Sequence, residues 1–313
     1  MHRLKLLAII FVSLFMIIGC SSEATPNDAA NVENEQADSE ITQSEEEVAE
    51  NEENEEEHRI IATTVAIVEI IEALDLDLVG IPTTYKDLGS RYKDLQSVGI
   101  ANNPDMEIVK SLQPTDVLSV TTLQAEVEEY YEQTNTPVTF LDLESVDGML
   151  ESIELLGEKY NREERASAIV DKFAEQMVEI DEVIADKESP SVLILLGVPG
   201  SYLVATEKSY LGDLARRAGA TNVFPGEGDV EYTSANTEYL QQTNPDVILR
   251  AAHGMPDEVV KMFDQEFAEN DIWKHFDAVN NGRVYDLEET LFGTTANLAA
   301  YDALVHLLDI LYE

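Results

Sequence analysis

Short apolar runs recur along the chain and alternate with segments whose apolar residues have helical spacing. We interpret the runs as buried strands, and they occupy residues 59–62, 116–120, 138–141, 192–196 and 247–249. Thr63 and Thr64 follow the first run and are expected to open a helix that extends to Leu74. Strands that alternate with helices are typical of an α/β protein with largely parallel sheets.

The longest helical pattern lies near the middle of the chain. Residues 161–187 contain no Gly or Pro, and their apolar side chains repeat at the spacing of one helix face. A helix of 27 residues spans about 40 Å at 1.5 Å per residue, which is long enough to connect two bodies. We therefore predict a linking helix over residues 162–188, an N-terminal lobe over 58–161 and a C-terminal lobe over 189–313.

An internal repeat supports the division into two lobes. The stretch MEIVKSLQPTDVLSV begins at residue 106, and TEYLQQTNPDVILRA begins at residue 237. In each copy a glutamate, Glu107 or Glu238, lies seven residues before a proline, Pro114 or Pro245, and Asp-Val with an apolar strand follows. One copy lies on either side of the predicted linking helix. We therefore expect two related Rossmann-like lobes, each an open α/β sheet.

His253 follows the apolar strand of the second copy, where a Gly-Met-Pro turn precedes the next helix. Ligands of open α/β sheets bind outside the carboxyl ends of the strands, so His253 is expected to face a cleft between the lobes. Two interpretations remain open at this point. His253 either holds a ligand or is a loop histidine that caps the helix started by Pro256.

The first twenty residues have the features of an export signal. A basic head, residues 1–5, precedes a run from Leu6 to Ile18 that is apolar except for Ser13; this run is too short to span a bilayer but fits a signal-peptide core. The run ends in Ile-Ile-Gly-Cys, which resembles the lipobox of bacterial lipoproteins, with Cys20 as the lipidated residue. The alternative is an ordinary signal peptide with an incidental cysteine. Cys20 is the single cysteine of the chain, which excludes an intrachain disulfide and a cysteine-based metal site.

Residues 21–57 contain 15 acidic residues and no Lys, Arg or aromatic residue, so we expect a disordered tether that reaches about 35 Å. The remaining 256 residues carry 48 acidic and 17 basic side chains, a net charge of −31. Such a surface argues against nucleic-acid binding, which requires cations that neutralise phosphates. It also argues against a chain that lies flat on an anionic membrane.

With these features, residues 59–312 resemble the class III substrate-binding proteins of ABC importers, and more narrowly the heme-binding lipoproteins of the iron-regulated surface determinant system (IsdE type). The resemblance rests on seven segments, of which the 18-residue one is the most specific. They are ATTVA (62–66), PTTYK (82–86), RYKDL (91–95), GVPGSYLVATEKSYLGDL (197–214), HGMPDEV (253–259), NDIWKHF (270–276) and VYDLEE (284–289).

The resemblance implies that the protein binds heme between its lobes and that His253 holds the heme iron. Neutral imidazole is a good ligand for heme iron, and its second ring nitrogen then needs a hydrogen-bond partner. In this family a methionine of the N-terminal lobe supplies the second ligand, but a gap-free alignment puts Asn102 there. Met106 lies four residues on, about one helical turn away if the helix has begun. Met106 as ligand, Met106 as a packing residue, Asn102 or water near the iron, and a five-coordinate iron all remain open.

Heme carries two propionates, which an acidic protein has to bind locally. Thr63, Thr64 and Val65 are expected to form a helix N-terminus at the cleft, where free backbone N–H groups favour anions. Lys86, in a loop with Thr84 and Tyr85, is the expected cationic partner, and Arg91 is a second candidate. Ordinary turn chemistry and solvated surface charge explain these residues equally well.

The resemblance also implies partners. Glu107 and Glu238 match positions at which related proteins dock on arginines of an ABC permease, whose ATPase drives import; ordinary acids at helix N-termini would look the same. We expect a monomer, lipid-anchored on the extracellular face of a Gram-positive-type bacterium, that receives heme from upstream cell-surface carriers. A siderophore or cobalamin binder of the same fold is the alternative. An enzyme is disfavoured because Ser201, in GVPGSY, lacks the Gly-x-Ser-x-Gly pattern.

Overall fold

A computed structural model describes residues 58–234 and 237–312 of the chain. The predicted signal segment, Cys20 and the acidic stretch 21–57 lie outside the described residues. The strands are β1 Ile60–Ala62, β2 Leu78–Ile81, β3 Gln96–Ser97, β4 Gly99–Ile100, β5 Asn103–Pro104, β6 Asp116–Val120, β7 Val138–Leu141, β8 Ser191–Val198, β9 Ser201–Ala205, β10 Thr221–Asn222, β11 Tyr232–Ser234, β12 Val247–Ala252 and β13 Val284–Asp286. The helices are α1 Val65–Ala73, α2 Gly89–Tyr92, α3 Met106–Ser111, α4 Gln124–Thr134, α5 Val146–Lys159, α6 Glu163–Ile184, α7 Tyr210–Arg217, α8 Thr237–Gln242, α9 Pro256–Glu269, α10 Asp277–Asn280 and α11 Ala300–Tyr312.

The N-terminal sheet has the strand order β3-β2-β1-β6-β7, and all of its pairs are parallel. Its central strands read as continuous apolar runs because helices cover both faces of the sheet. Ile60 and Ala62 of β1 pack into the core with α1 and α5, whereas Ile61 points to the opposite core with α3 and α4. The predicted strands 116–120 and 138–141 coincide with β6 and β7.

The C-terminal sheet has the order β11-β9-β8-β12-β13, with β10 also paired to β8. The pairs of β8 with β12 and of β12 with β13 are parallel, but β9 and β11 pair antiparallel. Pro199 and Gly200, the latter at φ +87°, join β8 to β9 in a two-residue hairpin loop. The sheet is therefore mixed, with an antiparallel edge on a parallel centre.

Helix α6 is the linking helix and has 22 residues, about 33 Å, so it is shorter than the predicted segment. It starts late because Asn161 has a left-handed backbone, φ +54°, and Arg162 is a non-helical cap. One apolar cluster includes buried residues of both sheets and of α6, so the two lobes share a continuous core. Within the described ranges, no helix combines the length and the apolar character needed to cross a bilayer.

Two hydrogen bonds join the lobes beside this core. The backbone N–H of Ala296 donates to the carbonyl of Leu143 at 2.8 Å, and the N–H of Val146 donates to the carboxylate of Asp213 at 3.0 Å. Val146 is the first residue of α5, and Asp213 lies on α7. The repeat is also visible in the fold, because α3 precedes β6 in one lobe as α8 precedes β12 in the other.

Candidate functional site

A cavity of about 520 Å³ opens between the lobes at the carboxyl ends of the parallel strands. Its volume lies within the range of small-molecule sites. The N-terminal lobe contributes the start of α1, the loop after β2 and the tip of the β4–β5 hairpin, and the C-terminal lobe contributes the turn after β12 and the loop after β13. The polar and charged groups of its wall and their neighbours are Thr63, Thr64, Val65, Ala66, Glu69, Thr84, Tyr85, Lys86, Asn102, His253, Gly254 and Glu289.

His253 occupies the turn that directly follows β12, and its side chain is exposed on the cavity wall. Its backbone N–H donates to the carbonyl of Gly197 on β8 at 2.8 Å, which fixes the turn to the sheet. Gly254 and Met255 follow with φ of +77° and +49°, and Pro256 starts α9. The N-cap of α9 is Met255, so the alternative in which His253 caps that helix is wrong.

The start of α1 also lines the cavity. The hydroxyl of Thr63 donates to the carbonyl of Leu118 at 3.0 Å, and that of Thr64 caps the helix by accepting from the N–H of Ile67 at 3.3 Å. The hydroxyl hydrogen of Thr63 is therefore engaged locally, whereas the hydroxyl of Thr64 only accepts and keeps its hydrogen for a ligand. The backbone N–H groups of Val65 and Ala66, at the start of the helix, are further donors for a ligand. The first turn of α1 holds no acidic residue, so nothing there cancels the positive end of the helix dipole.

Lys86 and Glu69 place opposite charges on the N-terminal wall. The backbone N–H of Lys86 donates to the hydroxyl of Thr84 at 3.0 Å, which closes a tight turn. Partial burial in the cavity raises the pKa of the Glu69 carboxyl, and the nearby ammonium of Lys86 opposes this rise. Lys86 thus supplies a cation next to the helix start.

Tyr85 and Glu289 meet across the cavity. The phenol of Tyr85 donates to the Glu289 carboxylate, and the backbone N–H of Gly254 donates to the same oxygen at 3.2 Å. Partial desolvation of the phenol and the bond to this carboxylate raise the pKa of Tyr85 to about 12, so the phenol remains a hydrogen-bond donor at neutral pH. Sequence reasoning assigned no role to Glu289, although it ends the segment VYDLEE quoted above; its contacts depend on the assembled lobes.

Asn102 and Met106 lie in different surroundings. Asn102 is at the tip of the β4–β5 hairpin and lines the cavity. Met106 is the first residue of α3 and packs against the apolar cluster of Val98 and Val109; it is not among the cavity-lining residues. The premise that one helical turn separates Asn102 from Met106 is wrong, because the intervening residues form a hairpin strand and the cap Asp105.

Several other candidate side chains lie away from the cavity. Arg91 binds Asp75 and Asp77, each at 2.8 Å, on the surface of its lobe. Glu107 is exposed in the first turn of α3. Glu238 is the second residue of α8, as Glu107 is of α3, and its side chain lies outside the described part of the structure.

Two tyrosines of the 18-residue segment 197–214, Tyr202 and Tyr210, pack against the core and do not line the cavity. The phenol of Tyr202 donates to Glu266 at 3.1 Å, and Tyr210 is fully buried. His275, which the segment NDIWKHF places close to Trp273 and Phe276, is exposed, whereas those two aromatic residues are buried.

The cavity combines an imidazole on one lobe with a helix N-terminus and an ammonium on the other. Apolar side chains, among them Ile100, Val120 and Leu123, also line the cavity. The set suits a largely apolar molecule that carries a metal at its centre and anionic groups at one edge.

Comparison with known proteins agrees with this architecture. The family model of periplasmic binding proteins matches residues 60–291. The high-affinity heme uptake system protein IsdE of Staphylococcus aureus is 50% identical over 259 residues, which cover 82% of this chain and 88% of that protein. The crystal structure of S. aureus IsdE complexed with heme, also 50% identical, has a TM-score of 0.79 and covers 82% of this chain and 100% of its own. An ABC transporter substrate-binding protein from Listeria monocytogenes is 52% identical, with a TM-score of 0.77 over 82% of this chain and 99% of its own. The chain therefore belongs to the periplasmic binding protein family and has the class III fold, in which one helix joins two lobes.

Proposed function

We propose that this protein is a lipid-anchored substrate-binding protein that captures heme between its lobes and delivers it to an ABC permease for iron acquisition. The observation that carries the proposal is the position of His253, which is exposed on the cavity wall opposite the start of α1 and Lys86. The 50% identity to a heme uptake protein supports the same ligand. The relatives are a heme uptake protein and a substrate-binding protein of an ABC transporter. The mechanism proposed for this protein is accordingly capture of a ligand rather than catalysis.

In this proposal, the iron binds a ring nitrogen of His253. The turn is well suited to hold the ring, because the bond from His253 N–H to Gly197 ties its backbone to β8 and α9 begins two residues after Gly254. The propionates lie at the N-terminal wall, where the N–H groups of Val65 and Ala66 and the ammonium of Lys86 offset their charge.

We infer that His253 is the one strong protein ligand of the iron. The packing of Met106 against the core of its lobe supports this over ligation by Met106. Met106→Ala is then expected to leave the absorption spectrum of the ferric complex unchanged. Asn102→Met is expected to shift the complex from high-spin towards low-spin, because it adds a thioether at the hairpin tip that lines the cavity. A spectrum that changes with Met106→Ala and not with Asn102→Met contradicts the inference.

The first test is a titration of hemin into residues 58–313, followed by the Soret band. This fragment corresponds to one compact unit, and the solved staphylococcal chain matches it over its whole length, so it is expected to fold without the leader. We expect saturation at one heme, lost or strongly shifted in His253→Ala and retained in His275→Ala, a control that changes an exposed histidine outside the cavity. A wild type without saturation rejects heme. Ferric siderophores and cobalamin are then the ligands to titrate.

Delivery to the permease rests on the paired glutamates and the lipid anchor. Glu107 and Glu238 hold equivalent positions on α3 and α8, one in each lobe, which suits a two-point contact with permease arginines. Replacing both with Lys is expected to abolish heme-dependent growth while hemin binding stays normal, and loss of binding in this variant contradicts the assignment.

Cys20→Ala is expected to release the protein into the medium. Upstream surface carriers and a monomeric state complete the proposal.

A further inference from the structure

One oxygen of Glu289 connects the two lobes at the cavity. It accepts the phenol hydrogen bond of Tyr85, which belongs to the N-terminal loop after β2, and the backbone N–H of Gly254 at 3.2 Å, beside His253. Tyr85 and Glu289 are 204 residues apart in the chain and both line the cavity. The bond therefore crosses the space between the lobes next to the proposed iron ligand.

This bond differs from the other contacts between the lobes. The contact of Val146 with Asp213 involves a carboxylate that is only 9% exposed, next to the shared core. Tyr85, in contrast, is 68% exposed. A hydrogen bond in contact with water is exchanged easily for bonds to solvent, whereas a buried one is costly to break. The Tyr85–Glu289 bond can thus open while the joint beside the core stays intact.

Opening costs the carboxylate only one of its two partners. Glu289 is half-buried and keeps the N–H of Gly254 when Tyr85 leaves, so the turn that carries His253 stays anchored. Tyr85, Glu289 and His253 line the same cavity, and the first two side chains meet across it, so a flat molecule that fills the cavity beside His253 competes with their hydrogen bond.

We propose that the Tyr85–Glu289 hydrogen bond is a latch that holds the two lobes together beside His253 before the ligand binds, and that the incoming ligand displaces Tyr85 while Glu289 continues to position the His253 turn. The latch rests on the proposed function, because heme is taken as the ligand that displaces Tyr85. Its hydroxyl donor and its carboxylate acceptor then have different roles, which substitutions can separate.

The test measures hemin association and dissociation by stopped-flow absorption of residues 58–313. Tyr85→Phe keeps the ring and removes the donor, and we expect an association rate about 3 to 10 times higher with an unchanged dissociation rate. Glu289→Ala is expected to raise association equally and dissociation as well, because Gly254 loses its acceptor. The double variant should associate no faster than Glu289→Ala. Tyr130→Phe, on the exposed surface of α4, is the matched control and should resemble wild type. An unchanged association rate in Tyr85→Phe, or a faster dissociation rate alone, overturns the latch and makes Tyr85 a ligand contact.

A second measurement needs no heme and separates failure of the latch from failure of the heme proposal. Spin labels at Lys93→Cys and Lys261→Cys, both exposed and outside the cavity, report the distance between the lobes. We expect a single narrow distance in the ligand-free protein and an additional longer one in Tyr85→Phe. Normal hemin binding with no effect on this distance rejects the latch alone. A shifted distance without any hemin binding rejects heme and keeps the latch for a different ligand.

Discussion

Replacing Asp213 with Asn is expected to weaken the joint between the lobes. The Asp213 carboxylate accepts hydrogen bonds from the N–H of Val146 at 3.0 Å, from Arg216 at 2.5 Å and from Arg217 at 2.8 Å. It is 9% exposed and Arg217 is 13% exposed, so water replaces little of what is lost. Asn has nearly the same shape, and the substitution therefore tests the charge and the second acceptor oxygen rather than packing.

The magnitude follows from the contacts. Val146 and Arg217 donate to the same oxygen, Oδ2, and Arg216 donates to the other. Asn can therefore keep an acceptor towards Val146 and Arg217 only by turning its NH₂ group, itself a donor, towards Arg216, and in either orientation the charge is lost. Hydrogen bonds to charged groups contribute about 1.5–3 kcal/mol each, and removing one partner of a buried ion pair costs about 3–5 kcal/mol. Arg217 retains its ion pair with Asp147 at 2.7 Å, so its charge is not left without a partner. We therefore expect the free energy of unfolding to fall by about 2–4 kcal/mol. The melting temperature should fall by about 5–15 °C for a chain of this length.

The assay is urea unfolding followed by circular dichroism on residues 58–313. Asp147→Asn is the matched control, since Asp147 pairs with the same Arg217 but is 72% exposed, and its loss should cost less than about 1 kcal/mol. If the two variants lose equal stability, the burial argument is refuted.

The pH dependence of Asp213 provides a second readout. Burial opposes ionisation, but the bonds from Val146 and Arg217 outweigh it and hold the pKa of Asp213 below its usual value. A lowered carboxyl pKa contributes stability that is present above the usual pKa of 3.8 and is lost as the solution is acidified further. The difference in unfolding free energy between wild type and Asp213→Asn should therefore be smallest in acid.

Two further substitutions test the fold. Burial, reinforced by carboxylates such as that of Glu144, raises the pKa of Glu231 from 4.5 to about 7, so the folded state loses about 1–3 kcal/mol as the pH rises through that window. Glu231→Gln is expected to remove this loss, which urea unfolding at pH 5 and pH 8 measures; parallel losses in both proteins would falsify it. Gly197→Ala places a Cβ 2.3 Å from Val259 and should cost about 1–3 kcal/mol, whereas Gly293→Ala meets nothing closer than 3.5 Å and should cost less in the same thermal melt.

The central strands could be predicted from the sequence nearly to the residue. The runs 116–120 and 138–141 are β6 and β7, because a parallel sheet covered on both faces requires continuous apolar strands and leaves a signal that a reader can find. The antiparallel β9 and β11 were not predicted. The hairpin at Gly200 pairs β9 with β8, and β11 then adds to the free edge of β9; neither pairing follows from an apolar pattern.

In the candidate site, too, some features could be predicted from local sequence and others could not. His253 was predicted on the cleft because it follows a recognisable strand, and the structure has it on the cavity wall. The contact of Tyr85 with Glu289 had no local signal, since it joins residues that only the packing of the lobes brings together. The helical spacing assumed for Met106 failed because a short polar hairpin, with Asn102 at its tip, leaves no periodic pattern.

The contrast between the acid-free first turn of α1 and the acidic surface around it has a consequence for the kinetics of capture. A ligand with two carboxylates approaches a protein whose residues 58–313 carry a net charge of −31, and at long range it is repelled. Salt shortens the reach of that repulsion to about 8 Å at physiological ionic strength, but it screens contacts inside the cleft much less. Added salt should therefore speed diffusional encounter without an equal loss of affinity, the reverse of what is usual for oppositely charged partners, and saline surroundings would favour this binding protein.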